Sequence, residues 1–534
     1  MTSNLALLLE KNVLLHPNKP AFIFKGKDQR WNSISYQQFL DLEISMEKGL
    51  TASGFKAGTK AVLMVPADIS FFALTFAMLK TGITAVMIDP AIGLNNVTRC
   101  LAETKPDVFI GTPLTHGLRS LFGWGKSSIT KNITPNAILD AGRLLKIPYS
   151  DAVEALSDAA IIFTSGSTGL PKGAIYTHKN LQAQVEMLAS AIILRGDEID
   201  LPAFPIFAMI DLLLGVTAVI PDMHFPRPAK VDPALIIEAI QNQQVDTLFA
   251  SPVVLDRLAR YAEDHPTQLA SLKRVITAGA PAPVAVLESF FKCLTEQSKI
   301  YGIYGSTESL PIALVDCHEI LSETRFASEK GAGICVGRPV DGINVDIIAV
   351  SDEALNNGMR LVNLPRGTTG EIVVEGAAVT TRYSGKPEYT LLAKTQDSGG
   401  LIHHRTGDVG YFDDHGRLWY CGRKSHRVQT SNGLLFSEQV EGIFNAHPDV
   451  YRTALVGVQI KNEVQPVLWV ELKDKANFKK QEKIRQELLT QGDCFDMTRE
   501  VKKIFFRRSF PTDVRHNSKI IREKLAVLAQ KRMK

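Results

Sequence analysis

One loop constrains this chain more than any other feature. Phe163-Thr164-Ser165-Gly166-Ser167-Thr168-Gly169-Leu170-Pro171-Lys172-Gly173 follows an apolar run, residues 159–163, that reads as a buried strand. Gly166, Gly169 and Gly173 permit backbone conformations that turn N–H groups inward, and such a nest binds anions. Thr164, Ser165, Ser167 and Thr168 add hydroxyls, and Lys172 adds a positive charge. That is the composition needed to hold a triphosphate. The loop is not a Walker A motif. With four residues between, Gly166 is followed by Pro171 where that motif needs glycine, and Lys172 is followed by Gly173 rather than Ser or Thr.

With 534 residues the chain exceeds one ordinary core, so two or more domains are expected. Hydrophobic residues at 45% and charged residues at 22% give a soluble globular balance. A net charge of +4 does not argue for nucleic acid. The six cysteines form no CxxC pair, which speaks against zinc or thioredoxin-like chemistry and fits reduced thiols in a cytoplasmic protein. Glu10 and Lys11 interrupt the apolar run at the N-terminus, so no secretory signal is read. Residues 71–88 are broken by Lys80 and Gly82, and residues 210–223 contain Asp211 and fall short of a bilayer's ~20 residues. Both read as buried core. A peripheral membrane contact stays open.

A strand–helix–strand rhythm over residues 61–65, 69–79 and 85–88 predicts a parallel α/β sheet, and it recurs at 159–163, 247–249 and 275–277. From about Gly337 the texture changes to strands at 345–350, 370–375 and 418–421, set between Gly- and Asp-rich turns. A helix at 437–445 and strands at 454–458 and 467–472 then suggest a compact α+β unit. Residues 501–534 carry eleven Lys and Arg against two Asp and Glu, which reads as a solvated helical face or, for one or two of them, a phosphate-facing role.

Four more motifs follow the loop. Ala278-Gly279-Ala280-Pro281 comes after the strand at 275–277, followed by Tyr304-Gly305-Ser306-Thr307-Glu308, then Arg405-Thr406-Gly407-Asp408 with Gly422-Arg423, and last Pro511 to Lys519. In this order they resemble the acyl-adenylate-forming superfamily of acyl-CoA synthetases, peptide-synthetase adenylation domains and luciferases. The resemblance implies an α/β fold, with a large multi-subdomain adenylating domain over residues 1–423 and a small mobile α+β domain over 424–534. It also implies an ATP-dependent ligase that converts a small-molecule acid to its acyl-AMP. Gly279, Ala280 and Pro281 would flank adenine and Tyr304 would pack on it. Thr307 would touch the α-phosphate and Glu308 would bind Mg²⁺. Asp408 would accept from the ribose hydroxyls, with Arg423 near ribose and phosphates. Lys424 would be the hinge. Lys519 would contact the carboxylate and α-phosphate, neutralising charge in the transition state.

The fate of the acyl-AMP is less conventional. Many relatives carry Asp-Asp-x-Ile-Lys-x-x-Gly after the hinge, as part of passing the acyl group to coenzyme A. Here residues 424–433 keep Gly433 but lack the acidic pair and the lysine. Together with residues 204–223, 226–228 and 513–519, this resembles the olefin β-lactone synthetases of the superfamily. The implied reaction activates a long-chain β-hydroxy acid, whose own hydroxyl then closes on the carbonyl. The alternative is a long-chain fatty acyl-CoA ligase using coenzyme A. A non-catalytic nucleotide-binding protein is disfavoured by Lys519, Glu308 and Asp408. Assembly with other hydrocarbon-biosynthesis enzymes stays open. Phe204, Phe207 and Met209 are candidate acyl-pocket walls or ordinary core. Asp211 is either a base for ring closure or a hydrogen-bonded structural aspartate. His403 and His404 are read as structural flanks of the ribose motif.

Overall fold

The strand before the glycine-rich loop, Asp158–Phe163, lies in a six-stranded sheet of the computed structural model, which describes residues 4–89, 92–144, 157–163, 171–474, 480–512 and 520–533. Its spatial order is Lys131–Ile133, Val108–Gly111, Lys60–Met64, Thr84–Met87, Asp158–Phe163 and Gly173–Thr177. Neighbours are parallel except for the last pair, which is antiparallel. Successive residues such as Ala61 and Val62, or Phe109 and Ile110, are all buried, as a sheet covered on both faces requires. The apolar stretch at 71–88 divides into the helix Ile69–Thr81 and the strand Thr84–Met87. Asp68 caps that helix by accepting from the Phe71 N–H at 3.0 Å. Among the described residues, no helix is long and apolar enough to cross a membrane.

A 14-stranded sheet builds the rest of the large region. Pro20–Lys25, Thr217–Ile220, Ile199–Pro202, Thr247–Phe249, Arg274–Ala278 and Lys299–Ser306 run parallel in that spatial order. Ser309–Asp316 then reverses, and Ile334–Pro339, Leu418–Arg423, Ile402–Phe412, Gly370–Gly376 and Ile343–Ile348 continue antiparallel. The β-rich texture expected from Gly337 is present, but the antiparallel run on that side of the 14-stranded sheet begins earlier, at the hairpin of Lys299–Ser306 with Ser309–Asp316. That hairpin escapes a reading by pattern because Pro311 interrupts its second strand.

In the last part of the chain the helix Ser437–Asn445 forms at the expected residues. Val450–Ile460 and Glu463–Leu472 make a longer hairpin than expected, joined in parallel by Lys503–Phe506. Val440, Phe444, Leu468 and Leu488 pack on one side of this sheet, and Trp469 with Leu525 on the other. Several cations of the basic stretch are tied down here. Arg522 donates to both Glu441 oxygens at 2.7 Å, and Arg532 lies 5.0 Å above the Trp469 ring. All six cysteines are free thiols.

Candidate active site

The ends of the phosphate loop are fixed opposite each other. Phe163 pairs with Gly173 across the antiparallel strands that flank it. Thr164, Ser165, Gly166, Ser167, Thr168 and Gly169 lie outside the described residues, as does Lys519. Lys172 is described. Its ammonium sits 4.5 Å from the Tyr389 ring centroid and 5.5 Å from that of Tyr383. Burial lowers its pKa, opposed by the nearby charge of Glu308.

Tyr383 reaches this place by backbone pairing. It bridges to Ala174, while Ser384 N–H donates to Gly173 O at 2.8 Å. Arg382 holds the same segment by donating to both Asp158 oxygens, at 2.6 and 2.8 Å. The Tyr383 hydroxyl then donates to Glu308 Oε1 at 2.7 Å. Glu308 and Thr307 form the turn of the hairpin between Ser306 and Ser309. Thr380 N–H donates to the Glu308 carbonyl at 2.9 Å, and Tyr176 hydroxyl donates to the Thr307 carbonyl. Lys394, fully packed in, donates to Thr380 O at 2.5 Å and to Thr380 Oγ1 at 3.2 Å.

Burial alone would raise the Glu308 pKa, but His404, the Tyr383 hydroxyl and Lys394 together leave it below the ordinary value. His404 is itself pushed down to about 3 by burial and by the charge of Lys394. It is therefore neutral near pH 7, and Tyr383 and Lys394 are the partners that then act on the carboxylate. Burial also brings Lys394 down to about 7. His404, read as a flank of the ribose motif, is thus a strand partner of Lys394 and faces the Glu308 side.

The ribose motif lies inside the strand Ile402–Phe412. Gly407 takes φ +73°, which a side chain would resist, and Asp408 comes directly opposite Arg423 on the next strand. Arg423 Nη1 lies 2.8 Å from Asp408 Oδ1, and the Tyr304 hydroxyl donates to Asp408 Oδ2 at 2.7 Å. So Tyr304, Asp408 and Arg423 are joined as one group, and Lys172 interacts electrostatically with both Glu308 and Arg423. Gly279, with φ +90°, Ala280 and Pro281 follow the strand Arg274–Ala278, beside the strand that carries Tyr304. Gly305 and Ser306 complete that strand.

Lys424 opens a short turn after Arg423. Its ammonium lies 2.9 Å from Glu371 Oε1, while Arg405 bonds Glu371 Oε2 at 2.6 Å. Glu371 is wholly buried. One carboxylate thus ties the first residue of the ribose motif to the proposed hinge residue.

Of the expected pocket walls, Phe207 and Asp211 line a small, mostly apolar cavity with Leu188, Ile192, Phe249, Ile276 and Ile303. The Phe207 and Phe249 rings stack with centroids 3.4 Å apart. Phe204 stands exposed at the start of the helix Pro205–Leu214, its centroid 6.2 Å from that of Phe207. Met209 packs into a different core, with the N-terminal helices. Asp211 is paired with Asp200, a partner that pattern reading missed. Tyr176, Tyr383, Lys394 and Glu371 were missed too, since no local motif marks them.

The model of the AMP-binding enzyme family matches residues 9–384. The chain is 39% identical over 510 residues to an olefin beta-lactone synthetase of Xanthomonas campestris pv. campestris, covering 93% of this chain and 91% of that protein. An olefin beta-lactone synthetase of Stenotrophomonas maltophilia gives the same identity and coverage. Among solved structures, ATP-bound MatB from Rhodopseudomonas palustris matches over 100% of both chains with a TM-score of 0.78 at 19% identity, a likeness of fold alone.

Proposed function

The chain belongs to the AMP-binding enzyme family, and from that premise we propose that it adenylates a long-chain β-hydroxy acid and closes the product to a β-lactone. The observation that carries the adenylating part is the convergence of Lys172, Glu308 and the Tyr304–Asp408–Arg423 group, drawn from three separate stretches of chain. The likeness to olefin beta-lactone synthetases over 93% of the chain supports the second part.

In the first step a carboxylate oxygen of the acid attacks the α-phosphorus of ATP. The bond to the bridging oxygen breaks and pyrophosphate leaves. The protein's task is to position and neutralise. Lys172 and the described end of the phosphate loop suit the outer phosphates. Asp408 and Arg423 suit the ribose, and Tyr304 the base. Glu308 fits Mg²⁺, because it is held ionised and forms no ion pair among the described residues. Bound there, Mg²⁺ would neutralise phosphate charge. Lys519 would meet the reacting carboxylate from the region 424–534, with Lys424 as the hinge from the region 1–423.

In the second step the β-hydroxyl oxygen attacks the acyl carbonyl, AMP leaves with the bonding pair, and the hydroxyl proton is lost. No thiol is consumed. Thr430 and Asn432, in the post-hinge loop, are bonded to Glu500 at 3.1 and 3.3 Å. The competing acyl-CoA ligase reading draws on Gly433, where an added Cβ would meet no atom within 4 Å. A cytoplasmic enzyme, associated with others of hydrocarbon biosynthesis, completes the proposal.

The test is acid-dependent exchange of pyrophosphate into ATP. Lys519→Ala should abolish exchange while ATP still binds. Unchanged exchange would remove Lys519 from the mechanism.

A further inference from the structure

Asp200 and Asp211 meet at one end of the apolar cavity, one from the strand Ile199–Pro202 and one from the helix Pro205–Leu214. Their exposures are 3% and 1%. Burial raises the pKa of both carboxyls, and the charge of Asp200 raises that of Asp211 further, while the Leu201 N–H and Arg274 oppose the rise at Asp200. Asp200 Oδ1 and Asp211 Oδ2 nevertheless have no partner among the described residues. Buried carboxyl oxygens in apolar surroundings are costly unless water or a ligand meets them. The cavity beside them holds about 10 Å³, room for one water molecule.

Strand register gives the depth of this pair. Asp200 is level with Thr247, and Thr247 with Arg274. Ala278, where the adenine-side loop begins, is the far end of the strand Arg274–Ala278. That strand's length is about 13 Å at roughly 3.3 Å per residue. With C–C bonds of about 1.5 Å, a zigzag chain advances roughly 1.25 Å per carbon, so about ten carbons cover the distance. Ile276 lies between the two levels and Ile303 at the level of Ala278, and both line the cavity together with the stacked rings of Phe207 and Phe249. Entry of a chain requires Phe207 to turn aside.

We propose that the Asp200–Asp211 pair is the distal stop of the acyl site and sets the longest chain the enzyme accepts. The inference rests on the adenylation reading and adds the residues that limit its substrate. A chain that ends short of the pair leaves the carboxyls their water. A longer one replaces that water with a methyl group, and both open oxygens lose their partner. A terminal hydroxyl at the same depth takes the place of the water and donates to one of them. At this depth Asp211 is a specificity-determining residue, remote from the carbonyl where the ring closes.

The experiment is acid-dependent pyrophosphate release from straight-chain acids of rising length and from their ω-hydroxy counterparts. In the wild type, kcat/KM should fall about tenfold or more for each carbon beyond the cut-off. At the cut-off the ω-hydroxy acid should exceed the methyl-ended acid by about tenfold, and at shorter lengths it should not. In the variant D200A/D211A the cut-off should move about two carbons longer and the hydroxyl preference should vanish. D200N/D211N, which keeps a polar floor of the same size, should retain the cut-off. An unchanged cut-off in folded D200A/D211A overturns the stop and leaves adenylation standing. If that variant does not fold, the wild-type series decides, because a hydroxyl effect independent of length overturns the proposal. No acid-dependent release from any acid overturns both readings.

Discussion

Tyr383 hydroxyl donates a 2.7 Å hydrogen bond to Glu308 Oε1, joining residues 75 positions apart. The bond leaves the second carboxylate oxygen for another partner and sets the plane of the carboxyl group. Partners of this kind orient a metal-binding side chain, and their loss typically costs about 10–100-fold in metal affinity or activity. Tyr383→Phe should therefore raise the Mg²⁺ concentration needed for half-maximal pyrophosphate release by about tenfold, with little change in thermal stability. An unaltered Mg²⁺ dependence would show that Tyr383 only fills space.

Glu371 holds two cations at once, Arg405 at 2.6 Å and Lys424 at 2.9 Å, with no exposure to solvent. Removing one member of a buried ionic group leaves the others uncompensated, a loss of about 3–5 kcal/mol. Glu371→Gln should lower the urea midpoint accordingly. Lys424→Ala should cost less, because Lys424 is partly exposed and Arg405 keeps its pair. Equal losses in the two variants would contradict this division.

Burial takes the Lys394 pKa from 10.5 to about 7 in the folded chain. Between those values the unfolded chain binds more protons, so this group makes stability rise with pH from about 7 toward 10.5. Lys394→Met removes the penalty. It should stabilise the fold at pH 7 by up to a few kcal/mol, with the gain shrinking as pH approaches 10. Activity should fall, because Thr380 loses the ammonium that braces its peptide against Glu308. Urea unfolding at pH 7 and pH 9.5, beside the rate of pyrophosphate release, checks both halves. A gain in stability that does not vary with pH would rule out the ionisation argument.

The elements around the site were largely legible in the sequence. The strand at Asp158–Phe163 and the helix Ser437–Asn445 lie where apolar runs and periodicity put them. Lys172, Tyr304, Glu308, Asp408 and Arg423 are marked by local motifs, and the fold gathers them. What was not legible depends on pairing across long stretches of chain. Tyr383 acts because its segment is hydrogen-bonded to Gly173 and Ile175, which no spacing in the sequence announces. Asp211 was visible as a carboxylate in an apolar run. Asp200 was not, because it stands near Asp197 and Glu198 in what reads as an acidic turn. Lys394 and His404 meet only through strand register, and Glu371 gains meaning only from the two cations that converge on it.

The central claim is that the acyl-AMP is consumed by its own hydroxyl. Mass spectrometry of the products formed from racemic long-chain β-hydroxy acids with ATP and Mg²⁺, with and without coenzyme A, tests it most directly. The expected result is a β-lactone, or its decarboxylated alkene, together with AMP and pyrophosphate, in amounts that coenzyme A does not change. An acyl-CoA thioester that forms only when coenzyme A is added, with no lactone in its absence, would contradict the account.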